Sequence, residues 1–310
     1  MTIRPIITGT ITSMYTILNV NESRICRYVV PSIWTSEYYN YCVSLFTTAL
    51  SRMSKPLNVI LGDIACDFKN DNQTIKIDIQ SEHTLVKLGG RSVDEIVWGD
   101  IDVIDGDGKY LIRVPNYQYY SRLDATIEYS LPNLVNLQTN DRFADYLRTA
   151  IYIAPTIYDI LDFRARGQTD TITLSNPSDR RAAFFSRMPG IMNVQGVLSK
   201  DALKGVYDKT KIMVNLHQTD HHHTFEELRV LPALCNGVII VSEDVPLKET
   251  IPYANAIVWS SYADLADTVQ DVQRNYDYYF QQIFTSKLEE NLMTLRHFNV
   301  NNLINYLTNV

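Results

Sequence analysis

The stretch NLHQTDHHHTFEELRVLPALCNG (residues 215–237) gathers His217, His221, His222, His223, the pair Glu226 and Glu227, and Arg229 just before the apolar run VIIVSE. Two chemistries compete for such residues, metal coordination and anion recognition. Three consecutive histidines in a loop do not easily converge on one ion with tetrahedral geometry. Cys26, Cys42, Cys66 and Cys235 are scattered without a Cys-x-x-Cys, so neither a zinc site nor a disulfide framework is indicated. We therefore expect no metal and no bound cofactor. A helix start, by contrast, presents unpaired N–H groups and the positive end of the helix dipole, which suit a phosphate. The loop HQTDHHHT would then border a bound anion, with His217 closing the strand KIMVNL on the same edge.

The helix that follows is expected over about 225–236. Thr224 and Glu227 fit a capping box, in which the glutamate returns to the backbone N–H of the cap, and Gly237 after Asn236 suits a helix end. At about 100° per residue, Phe225, Leu228, Leu231, Leu234 and Cys235 share a broad apolar side, whereas Glu226, Arg229 and Ala233 stack on a narrow face. Ala233 is small, so that face is expected to be open to a ligand. The plainer alternative is a surface ion pair of Glu226 and Arg229, worth a few tenths of a kcal/mol. Pro232 lies inside the helix and is expected to bend it.

A second candidate lies in SEHTLVKLGGR (81–91), where Glu82 and His83 follow a strand and Gly89-Gly90 precede Arg91. A carboxylate or imidazole placed there could deprotonate a substrate hydroxyl; an ordinary strand-to-turn connection has the same signature. Two Asp-x-Asp pairs, Asp100 with Asp102 and Asp105 with Asp107, fall in the acidic GDIDVIDGDGKY. That segment reads first as a hairpin or solvated loop.

These residues need elements to position them. From Asp170 onward strands and helices take turns: TITLSN, DRRAAFFSRM, NVQGVL, SKDALKGVYDKT, KIMVNLH, TFEELRVLPALCNG, VIIVSE, AIVWSS and YADLADTVQDVQRNYDYYFQQIF. Continuous apolar strands such as VIIV suit a parallel sheet covered on both faces, whose ligands sit at the carboxyl ends of its strands. The first half is less regular. LNVILGD, TIKIDIQ, YLIRV, TIEYS and AIYIAP read as strands, and SEYYNYCVSLFTTALSRM as a helix, giving a second α/β layer. The segment LDFRARGQTD (161–170) is the linker candidate, so the expected domains are 1–160 and 161–310, with a last helix over about 287–307 free to pack on either.

The whole chain sets bounds. Its 310 residues fit two domains of ordinary size. With 45% apolar and 20% charged residues it is an ordinary globular composition. A net charge of −7, with no basic run longer than Arg180-Arg181, argues against nucleic acid as the main partner. The N-terminus does not read as a signal peptide, and no window approaches the ~20 apolar residues of a transmembrane helix. A reducing, cytoplasmic setting is expected.

The order L..VY.K.KIMVNLH, E..RV..AL..G, VIIVSE and YADLADTV resembles the nucleotide-binding domain of GT-B glycosyltransferases over about residues 171–272. The resemblance implies an α/β fold of two Rossmann-like domains facing a cleft, with a nucleoside-diphosphate sugar on the C-terminal domain and a glycan or similar acceptor on the N-terminal one. It implies a hexosyl- or pentosyltransferase. A histidine after one strand, Glu-x-x-Arg-Val, then Ser-Glu after the next strand fits His217, Glu226, Arg229, Ser242 and Glu243. His223 and Thr224 join this donor set at the helix start, with Glu226 on the ribose or sugar. The commonest retaining pattern has a glutamate where Pro232 stands. Of Arg180 and Arg181, behind Ser178, one would face the diphosphate and the other solvent. Arginine and helix N–H groups can stabilise the leaving diphosphate without metal. On the acceptor side the candidates are Glu82 and His83 as base, needed only if the reaction inverts, and Arg91. A non-catalytic carbohydrate- or nucleotide-binding protein of the same fold and a nucleotide-sugar epimerase remain as alternatives.

Overall fold

The computed structural model describes residues 15–20, 22–28, 33–62, 74–87, 97–101, 110–114, 117–165, 169–195, 199–220 and 225–309. The first half runs β1 (Tyr15–Val20), β2 (Ser23–Tyr28), α1 (Ile33–Ser51), β3 (Asn58–Leu61), β4 (Thr74–Ile79), β5 (Leu85–Lys87), β6 (Val97–Ile101), β7 (Tyr110–Arg113), β8 (Ala125–Glu128), α2 (Leu131–Leu137), α3 (Ala144–Thr149) and β9 (Ala150–Tyr152). Six of these strands form a sheet in the order β1-β2-β3-β4-β8-β9. The β1–β2 pair is antiparallel and every other neighbour pair is parallel. The remaining strands form a small antiparallel sheet, β5-β7-β6.

Alternation along β4 decides how this layer is filled. Ile75, Ile77 and Ile79 belong to the main core with Ile127 of β8 and with Tyr38, Cys42 and Phe46 of α1. The intervening Lys76, Asp78 and Gln80, like Thr126, Glu128 and Ser130, are also buried. Both faces of the sheet are therefore covered, the polar one by a short 3-10 turn, Tyr117–Arg122, and by α3.

The second half contains β10 (Thr169–Thr173), α4 (Asp179–Arg187), β11 (Met192–Asn193), α5 (Lys200–Tyr207), β12 (Thr210–Asn215), α6 (Glu227–Cys235), β13 (Ile239–Glu243), β14 (Ile257–Ser260), α7 (Leu265–Arg274), α8 (Tyr276–Ile283) and α9 (Ser286–Asn309). Its sheet has the order β11-β10-β12-β13-β14 and is parallel throughout. The chain leaves β10 for β11 on one side and returns to β12 on the other. Strand order reverses between β10 and β12, and at such a reversal the two connections diverge and open a crevice beyond the carboxyl ends. The doubly wound layer expected from the alternation in the second half is present, and the first half forms the second α/β layer, with strands that follow one another across its sheet without reversal.

The last helix returns to the first half. Buried Asn299 of α9 accepts from Ala154 N at 2.9 Å, and its amide N–H groups reach Ala154 O at 2.8 Å, Tyr41 Oη at 3.0 Å and Thr156 Oγ1 at 3.2 Å. Asn302 donates to Tyr152 O at 3.1 Å. Of the strand expected in NVQGVL (193–198), Asn193 belongs to β11 and residues 196–198 lie outside the described residues; the β1–β2 hairpin, α2 and α3 add to the elements expected from the sequence. Among the described residues no helix is long and apolar enough to cross a membrane.

Gly237 closes α6 with φ +73°, and a Cβ there would lie 2.6 Å from Asp162 O. Gly205 in α5 has nothing within 4 Å of its Cβ position. Gly237→Ala should cost at least about 1–2 kcal/mol from the left-handed backbone alone, whereas Gly205→Ala should stabilise by about 0.5–1 kcal/mol. Urea unfolding of both variants checks the opposite signs.

Candidate functional site

Three arginines meet at the carboxyl edge of the second sheet, where its strand order reverses. A shallow notch lies between the ends of β10 and β12, bordered by Thr173, Leu174, Ser175, Asn215, Leu216 and Arg229. Arg181, in the first turn of α4, is only 2% exposed. Its Nε and Nη2 donate to Leu216 O at 3.1 and 2.7 Å, and Nη1 to Asn176 O at 2.9 Å. It thus ties the exit of β12 to the loop leaving β10. Burial, then the charges of Arg229 and Arg180, push its pKa down to about 10 against the opposing pull of Glu226 and Glu243.

Arg180 is also held. Its Nη1 donates to Glu243 Oε2 at 2.8 Å, Nη2 contacts Glu243 Oε1, and Nε reaches Asp220 Oδ1 at 2.5 Å. Its guanidinium lies 3.8 Å above the Tyr262 ring. Burial lowers its pKa, but the hydrogen bonds and charges of Glu243 and Asp220 outweigh that and raise it. The expectation that one of Arg180 and Arg181 is solvated is therefore corrected: Arg181 faces carbonyls, and Arg180 faces two carboxylates.

Glu243 also accepts from His217 N at 3.1 Å, and His217 Nδ1 lies 3.4 Å from Glu243 Oε1. Ser242 is buried, accepts from Asn215 Nδ2 at 2.9 Å and donates to Glu243 O at 2.9 Å, so it fixes the ends of β12 and β13.

Arg229 on α6 donates to Leu174 O at 3.0 Å and lies 3.7 Å from Glu226. Burial raises the pKa of Glu226, but Arg229, His83, Arg181 and His217 together bring it below the usual carboxylate value. One of those neighbours, His83, comes from the other layer. The inner cluster sets three guanidiniums (Arg180, Arg181, Arg229) against two carboxylates (Glu226, Glu243), one positive charge in excess. The third carboxylate, Asp220, has a side chain 81% exposed, and an exposed pair is weak and screened. An anionic ligand that displaced Asp220 would meet the excess charge directly.

Facing this edge, a second, small recess of about 20 Å³ spans both layers, with His83, Tyr129, Ser130 and Asn133 on one side and Phe225 and Val245 on the other. Glu82 is exposed beside it. Arg91, His221, His222, His223, Thr224, Asp102, Asp105 and Asp107 lie outside the described residues.

Two expectations about α6 are corrected. The helix begins at Glu227, Glu226 stands at the N-cap without a side-chain cap bond, and Glu227 is not a capping-box residue. Glu227 is 0% exposed, accepts from Tyr253 Oη at 2.7 Å and meets Ser130 of the first layer. Phe225 is buried with its ring 4.9 Å from Trp259 and 6.3 Å from Tyr253, which turns the chain inward before the helix starts. Ala233 is fully buried, so the face above it is closed and only the first turn of α6 is available to a ligand. Residues that sequence reasoning missed are Asp220, Tyr262, Asn133 and Glu128. Glu128 had a signal, a charged residue inside the strand TIEYS.

No family model matches the chain. An uncharacterized protein of Acanthamoeba polyphaga mimivirus is 27% identical over 110 residues, which cover 34% of this chain and 39% of that protein. The chain therefore spans about two fifths of this curated relative. Among solved structures, an alpha,alpha-trehalose-phosphate synthase (UDP-forming) from Burkholderia vietnamiensis aligns with 89% of this chain and 76% of its own. Its TM-score is 0.43 and its identity 7%.

The two fully buried glutamates make a pH prediction. Burial, the largest cause in both, pushes Glu227 up to about 7 and Glu128 up to about 8; Asp78 and Glu227 reinforce the shift of Glu128, and hydrogen bonds from Tyr146 and Asn133 oppose it. Both exceed the unfolded value of about 4.3, so the folded state binds these protons more tightly. Their stabilisation is full below the unfolded value and is lost as pH rises through about 7 and 8. Glu226, shifted down, acts oppositely and loses its contribution as pH falls. Urea unfolding should show stability declining from pH 6 to pH 9, with Glu128→Gln flattening the upper part; a flat wild-type profile would contradict these assignments.

Proposed function

We propose that the chain transfers a sugar, hexose or pentose, from a nucleoside-diphosphate sugar to a hydroxyl of a glycan or similar acceptor without a metal ion. The observation that carries this reading is the cluster of Arg180, Arg181 and Arg229 at the strand-order reversal, which meets a histidine of the other layer at Glu226. A diphosphate placed at this edge would lie by the N-terminal turn of α4, within the field of the arginines. Arg229 and Arg180, the latter after exchanging Asp220 for phosphate, would stabilise the charge that develops on the leaving group. Arg181 would act at a distance, through its charge and by holding the edge in shape.

Glu226 stays ionised and offers acceptor oxygens to a ribose or sugar hydroxyl. His83, with Glu82 beside it, would deprotonate the acceptor hydroxyl if the reaction inverts. His217, Ser242 and Glu243 would orient Arg180, while His223, Thr224 and Arg91 stay in the proposed donor and acceptor sets on the strength of the sequence. Cys42 and Cys235 are buried thiols outside any disulfide, which fits the proposed cytoplasmic setting.

Three outcomes separate the readings. A transferase releases nucleoside diphosphate from a donor sugar, an epimerase interconverts free nucleotide sugars, and a binding protein does neither while still gaining thermal stability from ligand. Arg229→Ala and Glu226→Ala should each weaken donor binding about tenfold or more, the loss of one charge-assisted hydrogen bond, whereas Glu227→Gln should leave it unchanged. Equal donor affinity in wild type and both site variants would remove the assignment. Excess chelator should leave the transfer rate unchanged; a loss restored by a divalent ion would overturn the metal-independent mechanism.

A further inference from the structure

The segment 81–84, which carries Glu82 and His83, receives its hydrogen bonds from buried side chains. Gln80 Oε1 accepts from Ser81 N and Glu82 N, both at 3.0 Å. Asn133 of α2 accepts from Thr84 N at Oδ1, 3.0 Å, and donates from Nδ2 to Glu82 O at 3.1 Å. Asn136 donates to Thr84 Oγ1 at 3.0 Å. Asn133 therefore spans the segment, and its second Nδ2 contact is Glu128 Oε2, also at 3.1 Å. These partners fix the orientation of the amide, because the reverse one would set Oδ1 against a carbonyl and a carboxyl oxygen.

Glu128 is the last residue of β8 and is 0% exposed. Its other oxygen shares a 2.5 Å hydrogen bond with Tyr146 Oη of α3. The titratable and charged groups that sense it are Tyr146, Tyr120, Asp78, Tyr38, Tyr129 and Glu227, none of them a cation. Burying a carboxyl in such company is costly, and packing alone gives no reason for one at the end of a strand.

We propose that Glu128 is a positioning residue, which through Asn133 holds segment 81–84, and His83 with it, against the first turn of α6. The consequence for transfer rests on the reading of His83 as the acceptor's base; the positioning itself does not. Near neutral pH Glu128 holds a proton, accepts from Tyr146 Oη at one oxygen and from Asn133 at the other. When it ionises, the charge draws Asn133 Nδ2 toward itself and away from Glu82 O, so the segment responds to the state of Glu128.

The test is NMR of the full chain with labelled histidine, the His83 signal assigned with His83→Gln. Glu128→Gln keeps the acceptor for Asn133 and should leave the His83 resonance at neutral pH where it is in the wild type. Glu128→Leu removes the acceptor and should displace that resonance in a folded protein, as judged by near-UV circular dichroism. In the wild type the His83 resonance should show a second inflection near pH 8, where Glu128 titrates, and Glu128→Gln should lack it. A folded Glu128→Leu with an unmoved His83, or a wild type without the second inflection, overturns the proposal; the wild-type measurement decides if the leucine variant does not fold. Where transfer is measured, Glu128→Leu should lower kcat about tenfold or more, as for a misplaced reacting group, with donor KM unchanged and kcat restored by Glu128→Gln. The NMR result stands whether or not transfer is found, so failure of positioning and failure of the transferase reading are told apart.

Discussion

Arg181 holds the edge on which everything else at the site depends. A strand-order reversal leaves a gap between the loops leaving β10 and β12, and the guanidinium of Arg181 fills it by donating to Leu216 O and Asn176 O. A charge buried on neutral carbonyls needs compensation nearby, and Glu226 and Glu243 supply it without touching Arg181. Each glutamate in turn orients a further arginine, Glu226 beside Arg229 and Glu243 across Arg180. Buried ion pairs of this kind add little net stability but are damaging to break. Their value here is geometric: the positive groups are fixed in place before any ligand arrives.

The same constraint explains the seam between the layers. Glu226 and Glu227 are neighbours in sequence, yet one is held as an anion by Arg229 and Arg181 with His83 and His217 nearby, while the other lies among Tyr253, Ser130 and Tyr152, where burial pushes its pKa up. The first turn of α6 thus faces the charged crevice with one residue and the buried seam with the next. On the far side, α9 crosses back and Asn299 satisfies the backbone of Ala154, so the two halves are joined by helix packing and polar contacts.

Much of the second half was legible because apolar runs such as VIIV and the regular alternation of elements report directly on a parallel sheet. His217 was placed at this edge by its strand end and Glu226 and Arg229 by helical spacing, whereas Glu243 joined them on the resemblance. The capping box did not hold because local propensity at Thr224–Glu227 competes with the burial of Phe225 against Trp259, and the larger apolar gain decides where the helix starts. The open face above Ala233 failed for a related reason: helical spacing shows which residues share a side, not what packs on it. In the first half the sheet buries polar side chains on one face, and nothing in the spacing of TIKIDIQ announces that Lys76, Asp78 and Gln80 are covered. Glu128 and Asn133 were invisible as a pair because their relation is made by the fold and not by spacing in the chain.

The central claim is that the carboxyl edge of β10 and β12 is a diphosphate site. A crystal structure of the chain with a bound nucleoside diphosphate tests it most directly. The account predicts phosphate oxygens within hydrogen-bonding distance of Arg229 and Arg180, with Asp220 moved off Arg180 and Arg181 still on Leu216 O. A nucleotide bound elsewhere, or an unchanged Arg180–Asp220 pair at saturating ligand, would contradict it.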